Sequence, residues 1–220
     1  MKRYLIGTSL LFGSLAAVPA IAEDNFYLSI GYGIAYPSDA ESEYTVNGTK
    51  YEITEETDDP GILSFSFGKK FNNDYRVEFN FSKAEVSSDS FKVTSGGTGV
   101  AGSITPAFEY DVTSYMVFGL KDFSNDSKFT PYAGVGAGFT TVEADNQIAT
   151  IAGMTYSFTY DCETVLSYAV KGGVGYEISD QATLFSELTY QNLASYESTG
   201  GVDYDSNNFV SVNAGVRFSF

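Results

Sequence analysis

Eight stretches of this chain place apolar residues at every second position, and that period of two commits most of its length to β-strands. In the first, residues 26–36, Phe26, Leu28, Ile30, Tyr32, Ile34 and Tyr36 share one face, and Tyr27, Ser29, Gly31, Gly33 and Ala35 share the other. Residues 62–71 set Leu63, Phe65, Phe67 and Phe71 against Ser64, Ser66, Gly68 and Lys70; residues 75–86 set Tyr75, Val77, Phe79 and Phe81 against Arg76, Glu78, Asn80 and Ser82. Five further runs follow at 108–123, 128–141, 164–178, 182–192 and 208–220. The run at 108–123 is apolar on both parities, through Tyr115, Met116, Val117, Phe118 and Leu120, so its facing stays open. Composition agrees, since 22 Gly with 17 Tyr and 18 Phe is strand and turn chemistry.

The connections alternate in length. Short links at 72–74, 124–127 and 179–181 take turns with long ones at 37–61, 87–107, 142–163 and 193–207. After Ala22 no segment approaches the roughly 18 consecutive apolar residues of a membrane helix, so any membrane span must be β. Tight turns on one rim and long loops on the other are the asymmetry of outer-membrane barrels. The expected fold is therefore all-β, an eight-stranded antiparallel up-and-down transmembrane β-barrel. An even strand count brings both chain ends to the turn rim, in the periplasm. About ten residues per strand, tilted near 40°, span the roughly 25 Å apolar band.

Alternation alone does not say which face is inside, because a soluble lipocalin-like carrier has an apolar interior and a membrane barrel the reverse. The polar parity decides. It carries Ser and Gly with a few isolated charges, Lys70, Arg76, Glu78, Lys171, Glu187 and Arg217, which suits a lumen filled by side chains rather than a soluble exterior. Short-turn register sets Lys70 diagonal to Glu78 and Lys171 diagonal to Glu187, within reach of long side chains. The six form a candidate lumenal ion-pair network whose work is barrel stability. Aromatics gather where the apolar band should end: Phe71, Tyr75, Phe129 and Phe220 on the turn side, Tyr36, Phe81, Phe139 and Tyr168 on the loop side.

Export is written at the start of the chain. Lys2 and Arg3 precede an apolar run over residues 4–18, and Ala20 and Ala22 fit a small-residue cleavage pattern. Residues 1–22 are expected to be a signal peptide and residues 23–220 the barrel domain. A formal charge of -16 disfavours nucleic acid as a partner. The lone Cys162 forms no internal disulfide.

Several stretches carry a family likeness. Ser114-Tyr115-Met116-Val117 leads through Lys121-Asp122-Phe123 to Pro131-Tyr132-Ala133-Gly134-Val135-Gly136-Ala137-Gly138-Phe139, and Tyr168-Ala169-Val170-Lys171-Gly172-Gly173-Val174-Gly175-Tyr176 to Leu184-Phe185-Ser186-Glu187-Leu188-Thr189-Tyr190. The chain resembles the small OmpA/OmpX-type outer-membrane barrels and, among them, the opacity and rickettsial-type surface antigens. Phe118, where that pattern has a polar residue, and Leu188, where it has an aromatic, depart from it. The ending Val216-Arg217-Phe218-Ser219-Phe220 resembles the signal read by the barrel-insertion machinery, with Val216, Phe218 and Phe220 as its apolar positions. The resemblance implies partners in outer-membrane lipid, in that machinery, and in a host or surface ligand at the loops.

Enzyme chemistry finds few parts. The chain has no histidine, so a Ser-His-Asp arrangement cannot be assembled, and Cys162 has no His partner. No cofactor is expected. Glu55-Glu56-Thr57-Asp58-Asp59 lacks EF-hand spacing and is expected to be a solvated turn rather than a calcium site. Eight strands leave an interior just filled by side chains, so no open solute channel is expected. What remains are the loops: the first holds eight Asp and Glu between Asp39 and Asp59 against Lys50 alone, with an expected hairpin about Asn47-Gly48. Tyr156, Phe158 and Tyr160 in the third loop are expected to extend the sixth strand. The sequence therefore points to a non-enzymatic surface protein of antigen or adhesion type. A structural barrel without a specific ligand is the alternative, and a soluble periplasmic carrier the more distant one.

Overall fold

A computed structural model describes residues 26–46, 49–71, 74–95, 98–144, 147–151, 154–158, 162–197 and 203–220. The expected signal peptide, Asn47-Gly48 and Tyr160 lie outside the described residues. In chain order the strands are β1 (Phe26–Pro37), β2 (Ala40–Val46), β3 (Thr49–Glu56), β4 (Gly61–Phe71), β5 (Tyr75–Ser95), β6 (Thr98–Asp122) and β7 (Phe129–Ala144). They continue with β8 (Gln147–Ile151), β9 (Met154–Phe158), β10 (Glu163–Ser179), β11 (Ala182–Leu193), β12 (Tyr196–Glu197), β13 (Asp203–Tyr204) and β14 (Asn207–Ser219).

Eight of these, β1, β4, β5, β6, β7, β10, β11 and β14, close into one antiparallel barrel, sealed where β1 pairs with β14. Its geometry follows from register. Stepping across from Tyr27, the partners are Gly68, Glu78, Phe118, Gly136, Ala169, Gln191 and Phe209, and Phe209 pairs back onto β1 at Pro37. One circuit thus advances ten residues, from 27 to 37. With strands about 4.8 Å apart and a rise of about 3.3 Å, that stagger fixes a tilt near 40°, and a barrel this narrow is filled by its own side chains.

The apolar parity faces outward. Leu28, Ile30, Tyr32, Phe65, Phe67, Val77, Phe79, Leu166, Val170 and Leu184 are exposed, while Tyr27, Ser29, Ser64, Ser66, Arg76, Glu78, Lys171, Glu187 and Arg217 are buried. The lipocalin-like alternative, which needs the apolar face inside, is excluded by this order. Of the expected girdles, Phe71, Tyr75 and Phe129 at the turn rim and Tyr36, Phe139 and Tyr168 at the loop rim are exposed on the outer surface.

β6 has a defined facing too. Tyr115 and Val117 point outward, whereas Met116, Phe118 and Leu120 are buried in the lumen. Their partners explain it, because Met116, Phe118 and Leu120 pair with Gly138, Gly136 and Gly134. Three inward glycines on β7 vacate the volume that three large inward side chains on β6 occupy. A Cβ on Gly136 would meet the Phe118 ring at 2.5 Å, and one on Gly138 would meet Met116 Sδ at 2.9 Å.

Two expectations about the loops need correction. Residues 87–107 are paired strand over most of their length: β5 and β6 continue above the barrel to Ser95↔Thr98, with a bulge between Ser88 and Ser90. Beyond the barrel neither lipid nor a packed lumen sets opposite demands on alternate residues, so no strict apolar alternation is needed to hold this ribbon. Residues 154–158 do not extend the sixth barrel strand; β9 turns back on β8 as a separate two-stranded sheet. The first-loop hairpin forms as expected, with Val46↔Thr49 flanking its tip.

The size match across β6 and β7 gives a test. Gly136→Val should lower the urea midpoint of the refolded protein by the equivalent of about 1 to 3 kcal/mol, the usual cost of overpacking. Gly119→Val, on the outer parity with nothing within 4 Å of its Cβ, should stay within about 0.5 kcal/mol of the parent. Equal losses at both positions would contradict the facing assigned to β6.

Candidate functional site

The buried charges of the lumen converge on Lys171 and Arg76. Lys171 extends from β10 and places its Nζ 3.0 Å from Glu78 Oε1 on β5 and 3.3 Å from Glu187 Oε1 on β11. Both carboxylates are further satisfied by phenols: Tyr27 donates to Glu78 Oε2 at 2.8 Å and Tyr132 to Glu187 Oε2 at 3.0 Å. Arg76 donates through Nε to Asp122 Oδ1 at 2.9 Å and through Nη1 to Tyr27 Oη at 3.3 Å, with Glu78 3.9 Å away. Six strands are tied through the barrel axis by these contacts. Phe118, the departure from the family pattern, lies beneath the Lys171 ammonium, 4.2 Å from ring centre to Nζ, where its π face attracts the cation and offsets part of its lost hydration.

Sequence spacing pairs Lys70 with Glu78, and the structure does not. Lys70 does sit diagonal to Glu78 in register, but the carboxylate is engaged by Lys171, Tyr27 and Arg76, and Lys70 forms no ion pair among the described residues. Arg217 likewise makes no ion pair among the described residues, although the charge of Glu78 reaches it; its guanidinium lies against Tyr27, Tyr132 and Phe185 instead. Asp122, which sequence reasoning missed, is the direct partner of Arg76. Its signal was present, since Asp122 shares the inward parity of Phe118 and Leu120 once β6 is oriented.

Above the charges the lumen turns neutral. Gln191 donates to Ser114 Oγ at 3.0 Å and Thr140 Oγ1 at 2.8 Å, and Ser167 donates to Thr140 Oγ1 at 2.8 Å. Asn80 donates to Ser66 Oγ at 2.9 Å. Ala35, Ile62 and Ala84, packed against Phe209, make a small apolar layer toward the loop rim. The space left between these layers is a cavity of ≈ 20 Å³, room for about one water molecule.

Outside the barrel the acidic first loop is spread along strands rather than gathered. Glu55 accepts a hydrogen bond from Tyr110, Glu56 from Ser90, and Asp58 from the backbone N–H of Ser87. Partial burial raises the Glu55 carboxyl above its ordinary value, against the opposing hydrogen bond from Tyr110. Among the described residues no three His, Cys, Asp or Glu side chains cluster as a metal site. Cys162 is exposed. At the other end of the chain, Phe218 is exposed on the outer face, and the backbones of Phe220 and Phe26 exchange hydrogen bonds of 2.9 and 3.2 Å across the seam.

An apolar outer belt around a charged, packed lumen is a soluble protein turned inside out. A family model for the outer membrane protein beta-barrel domain matches residues 8–218. The chain belongs to that family. It is an integral outer-membrane barrel of the Gram-negative type. No curated protein matches it in sequence. Among solved structures, OprG from Pseudomonas aeruginosa shares 15% identity, with 90% of this chain and 96% of that one covered, at a TM-score of 0.60. Neisserial surface protein A shares 16%, covering 89% and 97%, at a TM-score of 0.55. At such identities the likeness is one of fold.

The shared position of Lys171 makes the network testable. Removing one partner of a buried pair strands the other at about 3 to 5 kcal/mol, whereas removing both costs far less. Lys171→Met, which strands two carboxylates, should lower the urea midpoint more than Glu187→Gln does, and the double variant should lose clearly less than the sum. Additive losses would mean that the pair is not coupled.

Proposed function

We propose that this outer-membrane barrel is a non-enzymatic surface protein: the barrel is an anchor, and the sheet built on its long-loop rim makes contact with a surface or host ligand. One observation carries the reading. The long connections are built structure, joined strand to strand: β3 pairs with the upper part of β5, β2 with β3, β13 with β2, and β12 with β13. Ordering so much chain costs entropy that a mere tether between barrel strands has no reason to spend. The lumen, by contrast, is packed and ion-paired through its middle, which argues against solute passage. With no histidine in the chain, acid–base hydrolysis of the kind barrel enzymes use also lacks its central group.

The acidic surface of β2 and β3 favours a cationic partner. In this reading the short-turn rim and both chain ends face the periplasm and the loop sheet faces outward. Similarity to a neisserial protein whose name places it at the cell surface agrees with that orientation. Val216, Phe218 and Phe220 then form the strand that the insertion machinery recognises, and the seam they complete with β1 closes the barrel.

Deleting residues 40–58 and 144–160 should leave a barrel that still inserts, measured by protein recovered in the outer membrane, but abolish binding to host cells or matrix. Unchanged binding would leave the barrel a structural role alone. Phe220→Ala should reduce the amount reaching the outer membrane several-fold, and normal levels would remove Phe220 from the insertion signal.

A further inference from the structure

Arg217 stands apart from the other lumenal charges. It is 6% exposed, and its guanidinium carbon lies 5.0 Å from the centre of the Tyr27 ring, 5.4 Å from Tyr132 and 5.4 Å from Phe185. Among the described residues it has no ion pair, and its Nε is buried without a hydrogen-bond partner. Arg76 lies against the same two phenol rings, at 5.5 Å and 4.6 Å, so the two guanidinium groups share one aromatic pocket. Arg76 commits Nε to Asp122 and Nη1 to Tyr27, and its Nη2 is likewise buried and unpartnered. Lys70, opposite Arg76 in register and half-buried toward the short-turn rim, makes no ion pair among the described residues either.

The carboxylates that could neutralise this group are engaged elsewhere. Asp122 serves Arg76, Glu187 serves Lys171 and Tyr132, and Glu78, whose field also reaches Arg217, makes its contacts with Lys171, Tyr27 and Arg76. Glu177, on the inward parity at the same rim, is exposed; its charge reaches Lys70, but it makes no ion pair with any of the three cations. A guanidinium stays charged whatever its surroundings, so burial cannot be relieved by losing a proton. Stacking on aromatic faces offsets part of the lost hydration, but rings accept no in-plane hydrogen bonds from the N–H fork. A planar fork with free donors, a second fork on the same rings and an ammonium at the mouth fit a tetrahedral oxyanion, whose oxygens take bidentate N–H donors.

We propose that Arg217, Arg76 and Lys70 form a phosphate-binding site at the short-turn mouth of the barrel, with Arg217 as its principal ligand and Lys70 at the entrance. The phosphate is either free inorganic phosphate or the headgroup of a phosphate monoester lipid. The site lies at the opposite rim from the contact-making loops and does not depend on their function.

The test is the urea midpoint of the full-length protein purified in non-ionic detergent, titrated with sodium phosphate against sodium chloride at matched ionic strength and pH. Phosphate should raise the midpoint saturably beyond chloride. Arg217→Gln should weaken the apparent affinity at least tenfold, and Lys70→Gln, at the half-exposed position, several-fold with little effect on the midpoint in chloride. A parallel series in phosphatidylcholine vesicles, with phosphatidic acid or phosphatidylglycerol added, separates the sources: a shift with phosphatidic acid alone, lost in Arg217→Gln, assigns the site to a headgroup. Because Glu23 and Asp24 come just before β1 in the sequence, the titration is repeated with Glu23→Gln and Asp24→Asn combined. A phosphate response in either background that Arg217→Gln removes supports the site. Equal responses to phosphate and chloride in both backgrounds with no phosphatidic acid shift, or a phosphate response untouched by Arg217→Gln and Lys70→Gln, would overturn it.

Discussion

Closure of the sheet is the constraint on which the rest of this structure depends. In hydrocarbon an unpaired backbone N–H or C=O has no water to turn to, so a spanning sheet can have no free edge. The seam between β1 and β14 satisfies that demand over eleven register pairs, from Tyr27↔Ser219 to Pro37↔Phe209. Once closed at a stagger of ten residues, the barrel has a fixed tilt and a fixed, narrow bore. Each inward side chain must then share that bore with residues from the opposite wall.

The interior solves this by matching size and charge across neighbouring strands. Where β7 contributes Gly134, Gly136 and Gly138, β6 contributes Leu120, Phe118 and Met116. Where β1 brings Tyr27 inward, β4 answers with Gly68, whose missing Cβ leaves room for the phenol ring. Charge is handled the same way: Lys171 reaches two carboxylates from different strands, and each carboxylate also accepts a phenol. Satisfied on nearly every side, such a network is worth keeping buried; half-satisfied, it costs more than an apolar core. Toward the short-turn rim this matching lapses, at Arg217, at Lys70 and at Nη2 of Arg76, which is why the mouth of the barrel differs in kind from its middle.

Much of this is legible in the sequence because lipid and lumen impose opposite demands on alternate residues. The run read at 62–71 is Gly61–Phe71 in the structure, and that at 182–192 is Ala182–Leu193. Legibility fails where those demands lapse. Above the rim, residues 87–107 lie beyond both lipid and packed lumen and carry no strict alternation, so paired strands read as loop. On β6 the inward residues are apolar because β7 leaves them space, a fact that lies on the neighbouring strand and not in the run itself. Ion pairing is harder still: spacing along hairpins brings Lys171 to Glu187, but the contact of Lys171 with Glu78 crosses the lumen, and no local pattern encodes it.

The facing of β6 is where sequence is silent and structure definite, and it tests the account of the lumen most directly. In a Cys162→Ser background, single cysteines at positions 115, 116, 117 and 118 carry nitroxide labels in lipid vesicles, and power saturation reports collisions with oxygen dissolved in the bilayer. High oxygen accessibility at 115 and 117, with low values at 116 and 118, is the outcome that the packing of Met116 and Phe118 against Gly138 and Gly136 requires. The opposite alternation, or four equal values, would contradict a lumen filled from β6.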